Sequence, residues 1–173
     1  KEAIFELEKG IALDPNSAGC NIDMGWTLTY AGRAKEGIEY LNKGIRLDPG
    51  DRYGYLLSLS MAHFCMGEVA EAAKLMEQVL RINPENLGHT LPLAAFYGAL
   101  GRDQDARAML EFRKKGPYPP VDLEEPMFRR PFSDRKDADR FAGGLLKAGY
   151  APARIAGGYF PSFKENQLTG EEI

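Results

Sequence analysis

The feature that most constrains this chain is a spaced proline signature. Leu13-Asp14-Pro15 returns as Leu47-Asp48-Pro49 and again as Ile82-Asn83-Pro84, at intervals of 34 and then 35 residues. Other positions keep the same interval. A small residue stands at Ala3, Gly37, Ala72 and Ala106, and a large apolar one four residues later at Leu7, Leu41, Met76 and Leu110. Residues four apart share a helix face, so the small one admits a neighbouring backbone and the large one fills the space beside it. Gly32, Gly67 and Gly101 sit between successive apolar-periodic stretches, where a tight helix-to-helix turn needs a left-handed residue. A helical hairpin of about 34 residues cannot bury its apolar face alone, so the interval predicts hairpins stacked in series.

Helices are expected at 2–13, 18–31, 34–47, 53–66, 68–82, 87–100 and 103–115, with turn chemistry from Asn16, Gly50-Asp51 and Asn86, and Asp103 as a cap. The extra residue of the longer interval is assigned to Gly50-Asp51, because loops absorb insertions at little cost. These positions resemble the tetratricopeptide repeat over about the first 115 residues. The small, large, small, proline order of that family appears as Gly37, Leu41, Gly44, Pro49 and as Ala72, Met76, Val79, Pro84. Met24-Gly25 with Leu28, and Leu93-Ala94 with Tyr97, fit its first-helix pattern; its usual tryptophan position holds Asn21, Leu56 and Thr90. The resemblance implies an all-α, right-handed solenoid of antiparallel helix hairpins. Residues 1–115 supply about three and a half repeats, near the minimum for stability. Lys1 to Leu13 reads as a second helix without its partner, which suggests a piece of a longer polypeptide.

After Lys115 the pattern changes. Gly116-Pro117-Tyr118-Pro119-Pro120, then Pro126 and Pro131, read as an extended connector over 116–133. Residues 134–173 form an expected extension with one helix, about Asp134 to Lys147. Its stripe of Ala138, Phe141, Ala142, Leu145 and Leu146 needs a partner surface, for which the solenoid is the simplest candidate; Gly149 suits its C-terminal end. Thr169 and Glu172 match a capping box at the close of the chain.

In the tetratricopeptide fold the first helices of successive hairpins line the inner face. That register nominates Ile22, Trp26, Thr29 and Tyr30, then Leu57, Met61, Phe64 and Cys65, then Leu91, Ala95 and Gly98, an apolar and aromatic groove. Members of the family that bind chaperones grip a peptide carboxylate with Lys, Arg and Asn at equivalent places, and none of these types occurs in the set. Two occupants are open: an apolar protein segment anchored on Trp26 and Tyr30, or the chain's own tail through Tyr159, Phe160 and Phe163 or the Phe141 and Leu145 face. Self-association into a homo-oligomer is a further alternative.

Chemistry beyond binding has little support. His63 and His89 lack a second ligand at metal spacing, and His63 and Cys65 point in different directions on one helix. Glu2, Glu6, Glu68, Glu71, Asp103 and Asp105 fall at helix starts or hairpin surfaces, where solvation and helix-dipole complementarity explain them. Gly143-Gly144 lies within a helix, so it is no phosphate loop. Arg113, Lys114 and Lys115 complement a helix C-terminus. Arg129, Arg130, Arg135 and Lys136 are interleaved with acids, and a net charge of −3 offers no general attraction to nucleic acid. No catalytic residue, metal or cofactor is assigned. No apolar run approaches the roughly 20 residues that span a bilayer. Cys20 and Cys65 are offset by about 15 Å along adjacent first helices, beyond disulfide reach, which favours reduced thiols and the cytoplasm.

Arg130-Pro131-Phe132-Ser133-Asp134, Asp139-Arg140-Phe141 and Gly144-Leu145-Leu146-Lys147-Ala148-Gly149 resemble the tract that follows tetratricopeptide repeats in bacterial class III adenylate/guanylate cyclases, and Leu168 to Ile173 is similar to its close. The resemblance implies the regulatory end of a signalling cyclase, with no catalytic residue in this chain. The alternatives are a substrate-positioning region of a glycosyltransferase and a free-standing chaperone or secretion adaptor.

Overall fold

The computed structural model describes residues 2–116 and 132–150. Eight α-helices occur among them: α1 (Glu2–Leu13), α2 (Ala18–Tyr30), α3 (Ala34–Leu47), α4 (Arg52–Cys65), α5 (Val69–Ile82), α6 (Thr90–Ala99), α7 (Asp103–Arg113) and α8 (Arg135–Lys147). There is no strand among the described residues. The span expected as one helix over 87–100 is divided. A 3₁₀ turn at Leu87–His89, held by Asn86 Oδ1 accepting from the Gly88 amide at 3.1 Å, precedes α6. Pro92 falls in the first turn of α6, where its missing N–H costs nothing.

Three hairpins, α2/α3, α4/α5 and α6/α7, pile up in serial order through α3 on α4 and α5 on α6, with α1 against α2. Each hairpin turns at a glycine of positive φ: Gly32 at 81°, Gly67 at 84° and Gly101 at 73°. The amide just beyond each glycine donates five residues back, Arg33 to Leu28, Glu68 to His63 and Arg102 to Tyr97, at 2.8–2.9 Å. These bonds satisfy carbonyls that the helix end leaves without intrahelical partners. Ser17 and Asp51 cap the first helices α2 and α4 by accepting from the Cys20 and Gly54 amides.

Inside the hairpins, the periodic positions are the core. Leu41 and Met76 are fully buried and Leu110 is nearly so, as are the small residues Ala72 and Ala106. A methyl on Gly25 would stand 2.7 Å from the Gly37 carbonyl oxygen, so α2 and α3 meet backbone to backbone. In the next hairpin Ser60 holds the matching place and its hydroxyl donates to the Ala72 carbonyl at 2.8 Å. The corresponding residues of α1 behave differently: Ala3 is exposed, Leu7 half-buried, and α1 contributes no buried residue.

Beyond the hairpins, α8 does not stack on α7. It lies back against α6, burying Phe141, Gly144 and Leu145, with Asp134 capping its start by accepting from the Lys136 amide.

Candidate functional site

The first helices α2, α4 and α6 form one face of the stack, and the nominated groove residues are distributed over it unequally. Trp26 and Tyr30 are half-buried and meet edge to face with ring centroids 4.9 Å apart. Leu57 is also half-buried, against the main core. Met61, Leu91, Ala95, Phe64 and Gly98 are all buried.

Two nominated residues point elsewhere. The Thr29 hydroxyl donates to the Gly25 carbonyl at 2.8 Å, and its oxygen would lie 3.0 Å from a methyl on Gly37. Thr29 therefore fills the α2/α3 crossing instead of lining a groove. Ile22 likewise packs toward α3, where a methyl on Gly44 would sit 2.5 Å from its Cγ1. Ile22, Gly25 and Thr29, three and four residues apart, share the stripe of α2 that meets α3.

What covers the rest of the face is the segment Phe132–Tyr150. Phe64 stacks on Phe96 at 4.7 Å, and Phe141 stands edge-on to Phe64 at 5.9 Å and to Phe96 at 6.5 Å. Phe132 adds contacts to Tyr30 at 5.5 Å and Phe64 at 6.1 Å. Offset and edge-to-face rings of this kind add to simple burial. Further along α8, Gly144 meets Gly98 and the Ala95 carbonyl so closely that a methyl on either glycine would collide with the opposing backbone. Tyr159, Phe160 and Phe163 lie outside the described residues, as do Arg129 and Arg130 of the basic cluster.

Polar contacts anchor the segment at the ends of successive first helices. The Ser133 amide donates to the Tyr30 carbonyl at 2.8 Å, and Arg140 Nη1 donates to the Phe64 carbonyl at 2.8 Å. Both acceptors lie at helix C-termini, where carbonyls lack intrahelical donors and the helix dipole favours a cation. Arg140 also donates to Asp137 Oδ1 at 3.0 Å. Burial pushes the Asp137 carboxyl above its ordinary range, against the opposing pull of Arg140. Cys65, beside this pair, has its thiol pushed up to about 12, first by burial and then by Asp137. Such a thiol carries negligible thiolate near neutrality and is a poor nucleophile.

Phe96, Arg140 and Asp137 were not nominated by register. Phe96 lies one position from Ala95 and joins the aromatic group by stacking directly on Phe64. Elsewhere, His63 Nδ1 pairs with Glu68 at 2.5 Å, and His89 meets the Tyr53 hydroxyl and Asn86. Among the described residues no group of three or more His, Cys, Asp or Glu is placed to hold a metal ion. Both cysteines are free, and no described helix is long and apolar enough to cross a membrane.

Against known families, residues 18–51 and 66–111 each match the tetratricopeptide repeat. No curated protein matches the chain. Among solved structures, the crystal structure of MamA is similar at 19% identity, covering 84% of each chain with a TM-score of 0.55. The chain thus carries tetratricopeptide repeats in an α-solenoid, an architecture whose general use is protein interaction.

Proposed function

We propose that this tetratricopeptide-repeat solenoid is a non-catalytic docking module whose first-helix face receives an apolar segment of a protein partner. The observation that supports it is the state of that face: Trp26, Tyr30 and Leu57 are held in place by packing yet remain partly open to solvent. Rigid aromatic anchors beside an apolar surface are what protein interfaces concentrate their binding energy on. The test is capture on the immobilised chain, with recovered proteins identified by mass spectrometry and compared with a Trp26→Ala, Leu57→Ala variant that circular dichroism shows to be folded. A partner retained by the unaltered chain should be lost. Truncating one such anchor typically costs about 2 kcal/mol, roughly a 30-fold weakening. Equal recovery on the variant refutes the docking face.

The finer reading is that this module is the regulatory end of a bacterial, cytoplasmic signalling protein of the class III adenylate/guanylate cyclase kind. Its support is the tract from Arg130 to Gly149, whose Phe132, Asp134, Phe141 and Gly144 cap α8 or seat it on the first-helix face as described above. The full reading frame decides it. A cyclase domain with metal-binding aspartates upstream of Lys1 upholds the reading, and a glycosyltransferase domain there replaces it with that alternative.

A further inference from the structure

In a stack of helix hairpins each unit touches only its neighbours, so the two ends are independent unless something spans them. The segment Phe132–Tyr150 does so. Its start is fixed to the first hairpin, where the Ser133 amide donates to the Tyr30 carbonyl at 2.8 Å and the Phe132 ring meets Tyr30 at 5.5 Å. Its middle is fixed to the second, through Arg140 on the Phe64 carbonyl at 2.8 Å and Phe141 on the Phe64 ring at 5.9 Å. Its far turn lies on the third, where Gly144 and Gly98 meet backbone to backbone. Successive attachments along one segment thus reach α2, α4 and α6 in stack order.

The burial pattern shows what these attachments add. Where α3 meets α4 the buried apolar cluster is small, made of Ala34, Leu41 and Ala62. The large cluster runs from α4 to α8 and includes Phe132, and Trp26 and Tyr30 pack against this one. Trp26 meets Tyr30 at 4.9 Å, Tyr30 meets Phe132, and Phe132 meets Phe64 at 6.1 Å and Phe141 at 5.8 Å. A continuous run of rings therefore joins the first hairpin to the core of the other two through one residue of the returning segment. Edge-to-face rings favour one relative orientation, so Phe132 orients the Trp26–Tyr30 pair as well as covering it.

We propose that Phe132–Tyr150 is a brace that makes the three hairpins one cooperative unit and sets the placement of Trp26 and Tyr30 on the docking face. The proposal rests on the reading of the first-helix face as a docking surface and names what regulates it, the seating of α8 on α6. Whatever lifts α8 from Gly98 loosens Trp26 two hairpins away. By linkage, whatever grips Trp26 and Tyr30 in their braced placement tightens the α6–α8 seam by the same factor.

The test is urea unfolding of the full chain, followed together by Trp26 fluorescence, which reports the first hairpin, and by circular dichroism, which reports all the helices. Coincident transitions are the mark of one cooperative unit. The unaltered chain should show them, with midpoints within about 0.2 M of each other. Phe132→Ala cuts the brace at the first hairpin without placing any new atom, and Trp26 should then unfold at least about 0.5 M urea before the bulk of the helix signal. Gly144→Leu lifts the other end, since the obstacle is α6 backbone, and should part the transitions in the same order. Where Gly144→Leu fails to fold, Phe132→Ala alone decides. Separated transitions in the unaltered chain overturn the proposal, because the hairpins would then be independent with the brace in place. Coincident transitions in Phe132→Ala overturn it too, because the stack alone would then carry the cooperativity. That second result with Trp26-dependent capture intact removes the brace and leaves the docking face; parted transitions with equal capture on the Trp26→Ala, Leu57→Ala variant remove the docking face and leave the coupling between hairpins.

Discussion

The same substitution, glycine to alanine, should act with opposite signs at two positions of this chain. A methyl at Gly98 would run into the Gly144 carbonyl group, 2.7 Å from its carbon and 3.1 Å from the Gly144 Cα. Both obstacles are backbone, so no side chain can swing aside and α8 must lift. Phe132, Phe141 and Leu145 are each at least nine-tenths buried, and full burial of such side chains is worth about 1.5–3 kcal/mol apiece. Complete undocking would therefore forfeit on the order of 5–9 kcal/mol, and a lift of about an ångström forfeits roughly a quarter to a half of the contact energy. Set against a gain of about 0.5–1 kcal/mol from alanine in a helix, Gly98→Ala should destabilise by roughly 1–3 kcal/mol. Gly19 in α2 is the control. A methyl there meets no atom within 4 Å, so Gly19→Ala should stabilise by about 0.5–1 kcal/mol. Urea unfolding followed by circular dichroism and by the fluorescence of Trp26, the one tryptophan of the chain, measures both. Midpoints that move in the same direction would refute the backbone contact between α6 and α8.

Two further outcomes follow from burial and protonation. Leu41→Ala removes a fully buried periodic residue and should cost about 2–5 kcal/mol in urea unfolding, while Leu13→Ala, at a site 88% exposed, should change stability by less than about 0.5 kcal/mol. His89 is half-buried and its pKa is lowered by desolvation, so the unfolded chain takes up more protons there as pH falls below about 6.5. Stability should accordingly be full above that pH and decline as the pH falls below it, and a His89→Gln variant should show a shallower decline there.

The repeat interval made the helices legible because hairpin stacking demands small and large residues at set places. Gly37, Leu41, Ala72 and Met76 all turn into the core at the positions their spacing assigned. The groove was less legible, for two physical reasons. Register locates a side chain to about one helical position, and Ile22, Gly25 and Thr29, three and four residues apart, share the stripe of α2 that meets α3, so the choice between core and groove at Ile22 and Thr29 falls within that margin. The apolar stripe of α8 is visible in sequence, but its destination is not. Nothing in the spacing of Phe141 and Gly144 says that they face Phe64 and Gly98. Asn21, in the place the family usually gives to tryptophan, is a third case. Its amide donates to the Ser17 carbonyl at 2.7 Å and the Pro15 carbonyl at 3.3 Å, tying the start of α2 to the preceding proline turn.

The address of α8 also has a consequence for synthesis. Contacts within the hairpin stack join residues near in sequence and can form as the polypeptide lengthens, whereas Arg140 reaches back 76 positions to Phe64. The aromatic surface is complete once residue 99 has emerged, and its cover ends only at residue 150. At about 5–20 residues per second, that leaves roughly 3–10 seconds in which every nascent copy presents bare phenylalanines to the cell. Holdase chaperones and any waiting partner compete for the same interval, so the order of translation itself decides which molecule reaches Phe64 first.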